Sequence, residues 1–254
     1  MKRLISLILA GAMTAAALTG CKKASGTPDS GLTPLVLNEV AHSIFYAPQY
    51  AAIELGYFKD EGIDLTLVNG AGADKVMTAL ISGDAQIGFM GSEASIYVYQ
   101  EGSQDYAVNF AQLTQRAGNF LVGRQQEDNF KWEELKGKKV LGGRAGGMPQ
   151  MVFEYVLKKH GLDPKTDLTI DQSINFGLTA AAFTSDDADY TVEFEPFATT
   201  LESEGSGYVV ASLGTESGYV PYTAYSAKKS YIEKNPELIQ KFTNAIQMAL
   251  NEGA

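Results

Sequence analysis

Residues 38–89, NEVAHSIFYAPQYAAIELGYFKDEGIDLTLVNGAGADKVMTALISGDAQIGF, decide the fold of this chain. A strand, a turn, a helix, a second strand, a second helix and a third strand follow one another within them. Residues 63–68 alternate with the period of two that is typical of a strand, and Asn69–Gly72 turns the chain into a helix predicted over 74–82. Strands and helices that alternate at these lengths predict a parallel, right-handed α/β sheet.

The same alternation continues along the chain and divides it into two predicted lobes. An extended segment near 118–126 is interpreted as a crossing into a second lobe, and residues 219–226 as the return. We therefore predict a first lobe from residues 34–122 and 214–254 and a second lobe from 123–213. A final helix is predicted to begin with a cap at Asn235 and Pro236 at its first position. Its apolar face comprises Leu238, Ile239, Phe242, Ala245, Ile246, Ala249 and Leu250.

Composition excludes several classes of function. The formal net charge of −10 argues against nucleic acid as a partner, because phosphate binding needs clustered Lys and Arg. One cysteine, Cys21, permits no intramolecular disulfide and no cysteine-built metal site, and two histidines make a His-rich metal centre improbable. We expect neither a metal nor a cofactor.

The first residues have the pattern of an export signal. Lys2 and Arg3 precede an apolar core over residues 4–18, which is shorter than the roughly 20 residues that span a bilayer. Leu18-Thr19-Gly20-Cys21 resembles the lipobox of bacterial lipoproteins, in which the cysteine is lipidated. We expect a signal peptide over 1–20, lipidation of Cys21, a polar tether over 21–33 and an extracytoplasmic protein anchored to the cell membrane. The alternative is a transmembrane anchor with a chance cysteine.

Three stretches together carry a family resemblance: FYAPQYAAIELGYFKDEGIDLTL (45–67), GADKVMTALISGDAQIGFMGSEA (72–94) and WEELKGKKVLGGRAGGMPQMVFEYVLKKHGLDP (132–164). They resemble the substrate-binding proteins of bacterial ABC importers for nitrate, sulfonates, taurine and thiamine pyrimidine precursors. The resemblance implies a two-lobe periplasmic-binding-protein fold of type II, the Venus-flytrap fold, with a double crossover and a ligand cleft. It also implies a permease and an ATPase as partners, and we expect the protein to be a monomer. Family members continue for several dozen residues beyond this C-terminus, so we expect the C-terminal part of the first lobe to be truncated.

The loops that follow strands of the first lobe supply the first candidate ligand contacts, because ligands of open α/β sheets bind at the carboxyl ends of strands. Phe45 and Tyr46 could stack on a flat ring, or both could be core residues. The polar candidates of this lobe are Ser43, Gln49, Ser92 and Glu93. Ser92 could instead only cap a helix.

The second lobe offers a glycine-rich loop and an acid before a proline. Residues 142–147, GGRAGG, do not fit the dinucleotide-binding pattern, and the family implies that Gly146 and Gly147 expose backbone to the ligand. Arg144 could pair with an anion or be solvated. The resemblance suggests Glu195 as a ligand contact, although it could merely favour the start of a helix. Asn175 and Tyr222 complete the candidates.

Three classes of function remain open. The first is a binding protein for a small, flat, nitrogen-containing solute such as a thiamine pyrimidine precursor, which an acid in the cleft favours over nitrate, taurine or an alkylsulfonate. The second is an extracytoplasmic enzyme, for which His42 and Ser43 are the one tempting dyad. Adjacent residues at the end of a strand point to opposite sides, however, so this dyad is not expected to form. The third is a sensory domain that uses the same fold without a transporter.

Overall fold

Two five-stranded sheets form the framework of the protein. The structure is a computed structural model in which residues 31–174, 177–185 and 187–253 are described. The predicted signal peptide, the lipidation site Cys21, most of the predicted tether and the predicted ligand contact Asn175 lie outside these residues. Within the described ranges, no helix is both long enough and apolar enough to cross a membrane.

The strands of the described chain are β1 (Thr33–Glu39), β2 (Ile63–Asn69), β3 (Ile87–Gly91), β4 (Ala107–Thr114), β5 (Asn119–Gly123), β6 (Lys139–Leu141), β7 (Thr169–Asp171), β8 (Tyr190–Phe194), β9 (Tyr208–Ser212) and β10 (Thr223–Lys228). The helices are α1 (Ala47–Glu54), α2 (Tyr57–Asp60), α3 (Ala73–Ser82), α4 (Glu93–Gln100), α5 (Met148–Lys159), α6 (Thr179–Ser185), α7 (Phe197–Ser203), α8 (Leu213–Ser217), α9 (Lys229–Lys234) and α10 (Pro236–Glu252). Short 3-10 turns lie at Ile44–Tyr46 and Trp132–Leu135.

The first sheet has the strand order β2-β1-β3-β10-β4. Strand β1 pairs in parallel with β2 and β3, as predicted. The sheet is not parallel throughout, because β10 lies antiparallel between β3 and β4. Thr223, the first residue of β10, pairs with Gly91 and Thr114, the last residues of β3 and β4. The chain therefore returns to this sheet at the edge where β3 and β4 end.

The second sheet mirrors this arrangement with the order β7-β6-β8-β5-β9. Strands β6, β7 and β8 are parallel, and β5 runs antiparallel to β8 and β9. Asn119, the first residue of β5, pairs with Phe194, the last residue of β8. The expected two-sheet fold with a double crossover is thus present. The predicted start of the second lobe at residue 123 is too late, because β5 pairs entirely within the second sheet.

The last helix, α10, packs on the first sheet through the face predicted from its periodicity. Ile239, Phe242, Ala245, Ile246 and Ala249 are buried, while Leu238 and Leu250 are half-buried. The Phe242 ring lies 5.0 Å from the ring of Tyr225 on β10. Asn235 precedes the helix but does not cap it with its side chain, because its Nδ2 donates to the carbonyl oxygen of Tyr231 at 2.9 Å.

Candidate ligand-binding site

A cavity of about 410 Å³ lies at the carboxyl ends of strands from both sheets. The first sheet contributes Val40 after β1 and Gly91 at the end of β3. The second contributes Phe194 at the end of β8 and residues 144–147 after β6. Tyr222, which immediately precedes the return strand β10, completes one wall. Both crossing strands also enter their sheets at this edge, so the fold brings two sets of loops and the crossovers to one place.

Glu93, the first residue of α4, places an acid in the cavity wall. Only 2% of its surface is exposed, and no donor of the described residues lies within hydrogen-bond distance of either carboxylate oxygen. Burial raises the pKa of this carboxyl to about 7, against the smaller opposing effect of the backbone amides of Glu93 and Met148. A Cβ at Gly91 would overlap the carboxylate oxygens, so glycine at the end of β3 gives the acid its space.

Two tyrosines flank this acid. Tyr46 and Tyr222 are 4% and 3% exposed and line the same cavity. Burial raises the pKa of both phenols, and the charge of Glu93 adds to this rise. The Tyr222 hydroxyl, like the Glu93 carboxylate, has no hydrogen-bond partner among the described residues. The cavity therefore contains a buried acceptor and a buried hydroxyl that the chain itself leaves unsatisfied.

The glycine-rich loop joins the two sides of the cavity through Arg144. The guanidinium donates to Asp74 Oδ2 at 2.8 Å and to the Ala71 carbonyl oxygen at 3.3 Å, both at the start of α3. Arg144 is thus paired with a carboxylate of the chain itself, an arrangement that neither sequence interpretation, a ligand anion or solvation, described. The Gly72 backbone passes so close to the guanidinium that a Cβ there would overlap it.

Gly146 and Gly147, two of the predicted ligand contacts, line the cavity. Gly146 has a φ of 79°, a left-handed conformation that favours glycine, and its amide donates to Gln150 Oε1 at 2.6 Å. The amide of Gly146 is therefore engaged within the chain. Gly147 directly precedes α5, so the start of that helix faces the cavity.

Phe45 lies behind the cavity wall. Its half-buried ring packs 5.9 Å from Phe194, 5.8 Å from Tyr222 and 5.4 Å from Tyr46, so it touches residues of both lobes. A Cβ at Gly118 would overlap the Phe45 ring, so this glycine leaves room for the ring at the first crossing. The core alternative considered for Phe45 agrees with this position, whereas Tyr46 is both buried and cavity-lining.

Ser43 and Gln49 are absent from the cavity lining, contrary to the prediction. The Ser43 hydroxyl accepts a bond from the Phe45 amide at 3.3 Å and so begins the 3-10 turn. Gln49 is fully buried, because its Nε2 donates to Glu39 Oε2 at 2.8 Å and its Oε1 accepts from the Tyr225 hydroxyl at 3.1 Å. The hydrogen bond to Glu39, a buried acid at the end of β1, thus directs the Gln49 side chain toward the core.

Ser92 and Glu195 are likewise absent from the cavity lining. The Ser92 hydroxyl donates to the Pro221 carbonyl oxygen at 2.6 Å, so it ties α4 to the return crossing and caps no helix. Glu195 Oε2 accepts from the Thr199 amide at 3.1 Å in the first turn of α7. This is the helix-start alternative that the sequence left open for Glu195.

Sequence reasoning missed Asp74, Met77 and Tyr97, which also line the cavity. An acid in the first turn of a helix was visible in the sequence at Asp74, but its partner lies 70 residues away. The Tyr97 hydroxyl donates to Met151 Sδ at 3.1 Å, which is a contact between α4 and α5. No local pattern reveals such contacts.

The possible His42–Ser43 dyad is not assembled. His42 Nδ1 lies 2.9 Å from Glu39 Oε1, while the Ser43 hydroxyl faces the Phe45 amide. Within the part of the chain that the structure describes, no group of three His, Cys, Asp or Glu side chains is placed to hold a metal ion.

Comparison with solved structures agrees with this architecture. The aliphatic sulphonate binding protein SsuA of Escherichia coli superposes with a TM-score of 0.68 at 18% identity, over 85% of this chain and 72% of that one. The nitrate-binding protein NrtA of Synechocystis PCC 6803 superposes with a TM-score of 0.70 at 17% identity, over 86% of this chain and 61% of that one. At these identities the likeness establishes the periplasmic-binding-protein fold.

Sequence comparison identifies the family. The NMT1/THI5-like family model matches residues 44–252. A Bacillus subtilis (strain 168) protein named "Putative binding protein YtlA" is 49% identical over 233 residues, which are 92% of this chain and 68% of that protein. The expected relation to substrate-binding proteins of ABC importers is thereby confirmed. The chain belongs to the NMT1/THI5-like family and has its two-sheet, double-crossover fold.

Proposed function

We propose that this protein is an extracytoplasmic solute-binding lipoprotein of an ABC importer. It captures a small, flat, nitrogen-containing solute, such as a thiamine pyrimidine precursor, between its two lobes. The proposal rests on the cavity at the crossovers, in which mostly apolar walls surround Glu93, the one buried acid among its described lining residues. Family membership supports the transport role.

The size and walls of the cavity suit a small aromatic ring. Its volume of about 410 Å³ falls within the roughly 300–1,000 Å³ of small-molecule sites. Met77 and Met148 offer adaptable apolar surface, while Tyr46 and Tyr222 offer ring faces and edges. Such walls bind a flat apolar body by excluding water from both partners.

The charges around the cavity favour a nitrogen-bearing solute over an anion. Glu93 would repel nitrate or a sulfonate at short range. Arg144 is the only Lys or Arg among the cavity-lining residues of the described chain, and Asp74 already neutralises it at 2.8 Å. The alternative ligands remain nitrate, taurine and an alkylsulfonate, which the resemblance to anion-binding proteins brings into consideration.

Thermal-shift measurements on the full chain, purified in mild detergent, test the ligand class. We expect aminopyrimidines to raise the melting temperature and nitrate, taurine and ethanesulfonate to leave it unchanged. Tyr222→Phe, which removes the unpartnered hydroxyl, should weaken binding. Tyr219→Phe is the matched control, because Tyr219 is 74% exposed and outside the cavity. Stabilisation by the anions alone would refute the pyrimidine assignment.

Membrane attachment and transport partners form the second part of the proposal. Removal of residues 1–20 and lipidation of Cys21 would hold a monomer at the outer face of the membrane, beside a permease and its ATPase. Metabolic labelling with a fatty acid should mark the wild type and not Cys21→Ser. Equal labelling of both proteins would contradict the lipidation site, and the ligand assay would still stand by itself.

A further inference from the structure

Glu93 has an unusual position for a carboxylate, because it is buried without a partner. Its two oxygens are inaccessible to solvent and accept no hydrogen bond from the described chain. The Tyr222 hydroxyl beside the same cavity is also inaccessible to solvent and has no hydrogen-bond partner in the described chain. A buried acid without a partner is costly, so a fold normally supplies donors to it.

Glu193 on β8 shows that this fold does supply donors to a buried acid elsewhere. Glu193 is 2% exposed, as Glu93 is. Its oxygens accept from the Thr191 hydroxyl at 2.7 Å and from the Thr179 hydroxyl at 3.0 Å. The two acids are therefore equally buried, but only Glu193 has hydrogen-bond donors for its carboxylate. Glu193 is satisfied by the chain, and the acid that remains unsatisfied is the one that lines the large cavity.

The side chains around Glu93 offer no compensating positive charge, and only the backbone amides of Glu93 and Met148 favour its ionised form. Tyr46 and Tyr222 face it from the 3-10 turn and the return crossing, and both are neutral at ordinary pH because burial raises the pKa of each phenol. On the opposite side of the cavity, Arg144 is held by Asp74. No side-chain cation of the described cavity lining is free to pair with ionised Glu93, so a cation that pairs with it has to come from the ligand.

We infer that Glu93 is the specificity-determining acceptor of the cavity, and that it selects ligands with a protonated N–H edge on a flat apolar body. Amidinium and aminopyridinium ions are the chemical class that fits. The N–H edge would donate to Glu93, while the ring would lie against Tyr46 and Tyr222, where a cation is also favoured by the ring faces. This inference rests on the proposed function and names the charge of its solute.

Three probes of similar shape test the charge: benzamidinium, neutral benzamide and benzenesulfonate. Isothermal titration of the full chain in mild detergent should show binding of benzamidinium, at least tenfold weaker binding of benzamide, and none of benzenesulfonate. Glu93→Gln keeps the shape of the side chain and should weaken benzamidinium binding at least tenfold. Glu193→Gln, the matched control, should leave it unchanged. Circular dichroism establishes that both variants are folded.

The possible results separate this inference from the proposed function. If benzamidinium binds equally well to wild type and to Glu93→Gln, Glu93 does not select the ligand and the inference is overturned. If wild type does not bind benzamidinium but is stabilised by nitrate, taurine or ethanesulfonate, the cationic class is wrong and the solute-binding function stands. If none of these probes and no aminopyrimidine binds, both the inference and the proposed function fail.

Discussion

Replacing Glu93 by Gln should make the stability of the protein, relative to wild type, increase with pH. The carboxyl has an ordinary pKa of 4.5 in the unfolded chain and a pKa of about 7 in the folded protein, because burial disfavours its charge. As pH rises from 4.5 to 7, the unfolded chain loses this proton while the folded chain retains it. The folded state is therefore progressively destabilised relative to the unfolded state, and the loss is complete above pH 8.

The size of the effect follows from these two pKa values. Each unit of difference corresponds to about 1.4 kcal/mol, so ionisation of Glu93 costs the folded protein about 3 kcal/mol at pH 8. Glutamine cannot ionise and avoids this cost. It can add a constant penalty of about 1–3 kcal/mol for a buried amide without a partner, which does not vary with pH.

Urea unfolding of wild type and Glu93→Gln between pH 4.5 and 8.5 measures the effect. We expect the difference in free energy of unfolding, variant minus wild type, to increase by about 3 kcal/mol from the lower to the upper end of this pH range. Glu193→Gln is the comparison: burial also raises the pKa of Glu193 to about 7, but the variant keeps only one acceptor oxygen for the hydroxyls of Thr191 and Thr179. If the free energy of unfolding has the same pH dependence in wild type and Glu93→Gln, the conclusion that Glu93 is a buried, unpaired acid is refuted.

Three further predictions concern the rest of the fold. Arg144→Ala removes the 2.8 Å bond to Asp74, which is weak because the Asp74 side chain is 60% exposed. Distances between spin labels on α3 and α5 should show a larger population of molecules with a wider cleft, by a factor below about five. An unchanged distance distribution contradicts the contact. Phe242→Ala leaves a cavity at a fully buried position and should lower the free energy of unfolding in urea by about 3–5 kcal/mol. A loss below about 1 kcal/mol contradicts the packing of α10. The hydrogen bond from His160 lowers the pKa of Glu216, so Glu216→Gln should have a lower free energy of unfolding than wild type at pH 7. This difference should disappear as the pH falls through the lowered pKa, and a difference that persists in acid excludes the hydrogen bond as its cause.

Local periodicity was sufficient for the last helix. The apolar face of α10 and the start of that helix at Pro236 were predictable because helical spacing is written into neighbouring residues. The direction of β10 was not predictable in this way. Alternation with period two marks a strand whichever way it runs, and the partners of Thr223 lie more than 100 residues earlier in the chain.

The site shows the same division between local and distant information. Tyr46, Glu93, Gly146, Gly147 and Tyr222 were predicted and line one cavity, because loops at strand ends meet at one edge. Gln49 was predicted for the same reason, yet its side chain lies in the core. Its direction is set by the buried acid Glu39, and the burial of Glu39 depends on the whole first sheet.

The order of the strands has a consequence for how the protein reaches its folded state. Residues 119–212 contain every strand of the second sheet, so that sheet can form from one continuous segment. In the first sheet, β3 and β4 are joined only through β10, so their facing edges stay unpaired until residue 228 is available. During synthesis or refolding, we expect the middle of the chain to become protease-resistant first, and the two ends to follow together in a slower, non-local step.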